Sequence, residues 1–138
     1  MIRHFEGLDP RRLKPNEHSE TLDMGYVFAD PAYVKFTQVG NDNDIVCIIV
    51  FQRYWENNYQ AFFLLSRDYP VVMAKELKVF VDNAILDLGA NRVQTDSVAT
   101  PALDKWHEFL GFTCEGTREK MIFDKDYRCW ARLRGRDF

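Results

Sequence analysis

The spacing of hydrophobic and polar residues changes several times along this chain, and each change marks an element. Residues 1–8 alternate weakly and read as a first strand, broken by Asp9-Pro10. Residues 10–25 are polar and interrupted by Pro15, the pattern of a short irregular helix and a loop. From Ala32 to Gln38 the period is two and strand formers dominate. The turn Gly40-Asn41-Asp42-Asn43-Asp44 separates this from residues 45–54, which are β-branched and apolar like a strand buried on both faces. Glu56-Asn57-Asn58 is a second turn, and residues 59–66 form a further apolar strand. Three strands joined by short turns predict an antiparallel meander.

Beyond Pro70 the period becomes helical. Met73, Leu77, Phe80, Val81, Ala84, Ile85 and Leu88 recur three and four apart, with Lys75, Glu76, Lys78, Asp82 and Asp87 opposite. This predicts a long amphipathic helix within 70–88, about five turns, stopped by Gly89. Residues 91–97 read as a short strand. Thr100-Pro101 pairs an N-cap with a favoured first helical residue, so a second helix opens there and ends at Gly111. It carries Leu103, Trp106, His107, Phe109 and Leu110, and Trp106 and Phe109 are expected to anchor it. Residues 112–122 and 127–133 are strand candidates linked by Phe123-Asp124-Lys125-Asp126.

This order predicts the α+β class (mixed α/β) in one domain, 1–138, with no internal repeat and no linker. The expected sheet is mixed and mostly antiparallel, of about six to seven strands. The strand–helix–strand run predicts that 59–66 and 91–97 are adjacent and parallel, joined by a right-handed crossover and diverging at their C-terminal ends.

Composition narrows the class. The chain has 138 residues, 46% hydrophobic and 14% aromatic, enough for a core. With 28% charged residues and a net charge of −3 it is neither disordered nor basic, and nucleic acid is not an expected partner. The longest apolar run, Ile45–Phe51, falls far short of the roughly 20 residues that span a membrane. The start, Met1-Ile2-Arg3-His4-Phe5-Glu6, lacks the apolar stretch of a secretory leader, so a soluble cytoplasmic protein is expected. Cys47, Cys114 and Cys129 are too widely spaced for a metal-ligand pair, and His4, His18 and His107 are dispersed, so no metal site is expected. Cys47 lies in an apolar run and reads as a buried small residue.

The stretch Thr100–Gly116 carries Leu110-Gly111-Phe112 and then Glu115-Gly116 after a Pro-started helix. It resembles the closing motif of the GNAT N-acetyltransferases, and the element order follows that family over residues 26–133. The resemblance implies a GNAT-like fold, acetyl-CoA as donor and an amine acceptor, either a small molecule or a protein. In such a fold the pantetheine arm runs along the fourth strand, here Leu64 and Leu65. The diphosphate rests on backbone amides at the start of the long helix. The matching loop is Tyr69-Pro70-Val71-Val72-Met73-Ala74, with Arg67 just before it. The family has glycine where Val72 stands and Arg or Gln where Tyr69 stands. Pro70 lacks an N–H, and Ala74 fits the small position. Thr100 stands in the place of the family's Asn, although its N-cap role also explains it.

Acyl transfer needs a base for the amine and an acid for the leaving thiolate. In many GNAT enzymes the acid is a Tyr four residues before the glycine of Gly-Phe, and that position is His107 here. An imidazole can donate a proton, or it can simply pack on its helix. Tyr127 is a second candidate acid, or a strand aromatic. Asp96, at the end of the fifth strand, is a candidate base, as are Ser66 and Asp68 beside the fourth. Arg128, Arg132, Arg134 and Arg136 read as a charge-protected edge strand, or as a surface for an acidic partner or the CoA 3′-phosphate. The compact size, trimmed N-terminal helical region and altered loop also resemble the small GNAT-like proteins of tailed bacteriophages, some of them virion proteins. That likeness sets a non-catalytic structural or interaction module, in host cytoplasm or virion, beside the acetyltransferase.

Overall fold

The computed structural model describes residues 1–14 and 33–138. The elements are β1 (Ile2–His4), α1 (Asp9–Arg12), β2 (Val34–Val39), β3 (Ile45–Trp55), β4 (Asn58–Leu65), α2 (Ala74–Asp87), β5 (Arg92–Val98), α3 (Pro101–Phe109), β6 (Thr113–Ile122) and β7 (Lys125–Leu133). Hydrogen-bonded neighbours in the seven-stranded sheet run β1-β2-β3-β4-β5-β7-β6. The mixed, mostly antiparallel sheet expected from the sequence is present. Of the helix-and-loop region expected over 10–25, α1 forms one turn, and residues 15–25 lie outside the described residues. The chain forms two compact units, residues 1–53 with 61–80, and residues 54–60 with 81–138.

In the first unit β1 pairs antiparallel with β2, and β2 with β3. Every side chain from Ile45 to Phe51 is buried, so both faces of β3 are covered. Ile48 and Val50 cluster with Leu13, Val39 and Ile45, and Phe5, Tyr33, Phe62 and Leu64 pack against them. On the other face Phe36, opposite Ile49, meets Phe80 of α2 edge-on at 4.8 Å. Cys47 is fully buried, and burial pushes its thiol well above the usual range.

Asp9 does more than break the first strand. It opens α1 and is completely buried. Its two carboxylate oxygens accept from both terminal nitrogens of Arg3 at 2.9 Å. It also accepts from the Thr37 hydroxyl at 2.6 Å and the Glu6 amide at 2.8 Å. Burial by itself would raise the pKa of Asp9. The bonds from Arg3, Thr37 and Glu6 outweigh it and hold the carboxyl below its ordinary value.

In the second unit β4 and β5 run parallel, as expected, with Asn58–Gln60 beside Arg92–Gln94. β5, β7 and β6 follow antiparallel. The arginine-rich strand β7 is interior, which corrects its reading as an edge. Its arginines and those after it all have partners within the chain: Arg132 is buried and Arg128 half-buried, while Arg134 and Arg136 are exposed. Arg132 is 5% exposed. It donates to Asp82 at 2.6 Å and to the Leu110 carbonyl at 3.1 Å. Arg128 pairs with Asp104 at 2.8 Å, Arg134 bonds the Ala90 carbonyl and Asn91, and Arg136 pairs with Asp137. Arg132 also explains Gly111. A Cβ there would lie 3.0 Å from the Arg132 guanidinium carbon, on a backbone with φ +90°.

Three local expectations need adjustment. The long helix is shorter, because Val71–Met73 form a 3₁₀ turn ahead of α2. The β6–β7 link is the two-residue turn Phe123-Asp124, both at positive φ, and it carries no glycine to signal it. On α3, Phe109 is 42% exposed, and His107 and Leu110 are the buried anchors in its place. The Thr100 cap forms as read, with its hydroxyl accepting from the Leu103 amide at 3.2 Å.

The Asp9 cluster sets a testable stability. Asp9→Ala leaves Arg3 and Thr37 without their acceptor and should cost about 3 kcal/mol by urea unfolding. The folded pKa of Asp9 lies below its unfolded value. Its contribution is therefore complete above the ordinary carboxylate range and disappears as pH falls through the folded pKa. Stability of the Ala variant should fall less steeply in acid than that of the parent chain.

Candidate functional site

The loop Tyr69–Ala74, which the sequence resemblance sets in the place of a phosphate loop, lies in the first unit. Its amides can be followed one by one. The Tyr69 amide donates to the Ser66 carbonyl at 3.1 Å, and Pro70 has none to offer. Met73 donates back to the Pro70 carbonyl at 2.9 Å and Ala74 to that of Val71. Val71 and Val72 remain, with no backbone partner among the described residues. Both side chains are 84% exposed. Two amides with no partner among the described residues therefore stand at the entry of a 14-residue helix, where the helix dipole favours negative charge.

Residues around the loop hold it in place. The Ser66 amide donates to the Val46 carbonyl, and the buried Ser66 hydroxyl accepts from the Asp68 amide at 3.3 Å. Arg67 is exposed, with Nε 3.7 Å from an Asp68 oxygen. Leu64 packs into the core and Leu65 is half-buried. Gln38, which sequence reasoning missed, is fully buried on β2 and bonds Tyr69, Met73 and Glu76. Burial would raise the Glu76 pKa, but bonds from the Met1 amino group and Gln38 lower it below its ordinary value.

Ser66 and Asp68 lie in the first unit, and the second unit holds the other candidate acid–base residues, Asp96, Tyr127 and His107. β5 and β7 place Asp96 opposite Cys129 and Val98 opposite Tyr127. Alternation along the strands therefore puts Asp96, Cys129 and Tyr127 on one sheet face. Asp96 is exposed there and lines a pocket of about 340 Å³ with Arg92, Gln94, Glu115, Arg118 and Cys129. Tyr127 is buried. Burial raises the Cys129 thiol pKa, and a hydrogen bond with Asp96 adds to the rise. The Arg92 guanidinium grips Glu115 and holds its carboxyl below its ordinary value. Gln94 accepts from Tyr54 at 2.9 Å and Arg92 at 2.7 Å, and donates to Gln60 at 3.0 Å. Of these polar neighbours Glu115 belongs to the closing motif read in the sequence; Tyr54, Gln60, Arg92 and Gln94 were not marked, because they lie on three separate strands.

His107 sits on the opposite sheet face. Its ring stacks on Trp130, centroids 5.3 Å apart and planes at 15°, and meets Phe112 edge-on. Trp130 in turn donates to the Ser97 hydroxyl at 3.1 Å. His107 Nδ1 lies 2.7 Å from the Leu103 carbonyl, an oxygen that can only accept, so Nδ1 carries the proton. In the neutral ring Nε2 then bears a lone pair and can accept but not donate. Burial lowers its pKa and favours that neutral form. The candidates in this unit are thus divided, Asp96 and Tyr127 on one face and His107 on the other. Thr100 caps α3. Among the described residues no group of three or more His, Cys, Asp or Glu could hold a metal ion, and no helix is long and apolar enough to cross a membrane.

The sheet order, the parallel β4–β5 pair and the intervening helix are those of the GNAT fold. Among solved structures the chain is similar to a GNAT-family acetyltransferase from Bacillus anthracis, 18% identical with a TM-score of 0.72 over 96% of this chain and 93% of that one. It is also similar to the spermidine/spermine N-acetyltransferase of Vibrio cholerae solved with manganese ions, 15% identical with a TM-score of 0.72 over 96% of this chain and 91% of that one. No protein-family model matches the chain, and no curated sequence does.

The His107 environment predicts a pH dependence. Its folded pKa lies below the unfolded value of about 6.5, so the unfolded chain binds a proton that the folded chain refuses. Stability should hold above that pH and fall below it. His107→Phe, which keeps a ring against Trp130, should flatten the slope by up to one proton, about 1.4 kcal/mol per pH unit. Thermal unfolding between pH 5 and pH 8 reads this directly, and an unchanged slope would mean the imidazole titrates freely.

Proposed function

We propose that this protein is an N-acetyltransferase that moves an acetyl group from acetyl-CoA to an amine. The observation that supports it is the fold, shared across nearly the whole chain with two acetyltransferases. In this reading the Val71 and Val72 amides, with Arg67 nearby, receive the CoA diphosphate. Backbone along Leu64 and Leu65 receives the pantetheine arm, and Ala74 leaves room at the helix entry. The amine nitrogen attacks the thioester carbonyl, and Asp96 takes the released proton directly or through a water. The C–S bond breaks, and Tyr127 returns a proton to the CoA sulfur. His107 holds Trp130 and α3 in place, because its neutral tautomer has no proton at Nε2 to give.

A second reading is a GNAT-like interaction module without catalysis, such as a virion-associated protein. The internally satisfied amides of Met73 and Ala74 favour it, since they leave few donors for a diphosphate.

Calorimetric titration with acetyl-CoA separates the two readings. Binding is expected, though weak, and silence at millimolar cofactor would favour the module. Val72→Gly, which restores the small residue at the loop centre, should tighten binding. Unchanged affinity in a folded variant would mean that the loop is not the cofactor site. With an acceptor found by mass spectrometry of acetylated amines, Asp96→Asn and Tyr127→Phe should each lower turnover by roughly 10²-fold or more, with acetyl-CoA affinity preserved. Full turnover in both would exclude them as base and acid.

A further inference from the structure

The loop before α2 has a conformation that its own sequence does not explain. It contains no glycine, yet it turns tightly and leaves Val71 and Val72 84% exposed. Two valines in water oppose this arrangement, so another group must hold it. That group is Gln38. Its amide oxygen accepts from the Tyr69 hydroxyl at 2.8 Å. Its amide nitrogen donates to the Met73 carbonyl at 3.0 Å and to Glu76 at 3.1 Å. One completely buried side chain thus grips the segment before the turn, within it and in the first turn of α2. Only one amide orientation works, because the reverse would set its oxygen against the Met73 carbonyl and the Glu76 carboxylate. Burial raises the Tyr69 pKa, which keeps the phenol protonated as the donor this bond needs.

We propose that Gln38 and Tyr69 are positioning residues for the donor. By fastening the loop to β2 they hold the Val71 and Val72 amides ready for the diphosphate of CoA. They replace, with a buried side-chain bond, the conformational control that a glycine-rich sequence would supply. The proposal rests on the acetyltransferase reading above.

The test uses the full chain and two donors, acetyl-CoA and S-acetylpantetheine, the second lacking the diphosphate and nucleotide. Ligand-observed NMR reads both down to millimolar affinity. Tyr69→Phe keeps the ring and removes one hydrogen bond. It should weaken acetyl-CoA binding about fivefold while leaving S-acetylpantetheine unchanged. Gln38→Met should weaken acetyl-CoA further, and thermal unfolding of each variant reports whether the fold persists. A purely structural role would weaken both donors together. That result, or unchanged acetyl-CoA affinity in folded Tyr69→Phe, overturns the proposal while the acetyltransferase reading stands. Failure of the parent chain to bind acetyl-CoA overturns both.

Discussion

A strand with no polar position from Ile45 to Phe51 cannot show either face to water. Burying each such side chain is worth about 1.5–3 kcal/mol, so β3 needs a cover on both sides. The first unit meets this need with the part of α2 up to Phe80 on one face and the Leu13 cluster on the other. Both covers are then fastened from the neighbouring strand. Thr37 and Gln38 are adjacent on β2, so their side chains leave by opposite faces. Thr37 bonds Asp9 at the start of α1, and Gln38 bonds the start of α2. Two consecutive buried polar residues thereby fix the register of two helices against one apolar strand. The loop that enters α2 inherits its shape from that arrangement.

The second unit uses the two faces of its sheet for different purposes. One face carries packing, with His107 on Trp130 and Arg132 on Asp82 and the Leu110 carbonyl. The other carries titratable and polar groups open to a pocket, Asp96 among them. A side chain's face follows from strand alternation, so neighbours in sequence separate by role. Cys129 lies toward the pocket, while Trp130 lies against α3.

Much of this fold was legible in the sequence because its signals are local. The apolar run of β3, the three-and-four spacing of α2 and the Thr100-Pro101 start of α3 each depend on residues a few positions apart. The parallel strand pair followed from element order. What stayed hidden depends on distant partners. Asp9 reads as a breaker until Arg3 and Thr37 close on it, and Gln38 reads as one more strand residue until Tyr69 and Met73 reach it. His107 was visible as a chemical group, but its stacking on Trp130, 23 positions further along, was not. The arginines of β7 looked like a solvated edge because nothing local tells an interior strand from an outer one.

Among the described residues the exposed strand β6 ends the sheet, and its geometry bears on edge-to-edge pairing. Its ladder with β7 shifts register between Cys114 and Gly116 and again between Arg118 and Ile122. The uninterrupted stretch between those breaks is Gly116–Arg118, three residues. Stacking of identical segments into a fibril spine takes about six or seven residues in regular extension. Among the described residues this edge is therefore too short in regular extension to serve as a template for its own repetition.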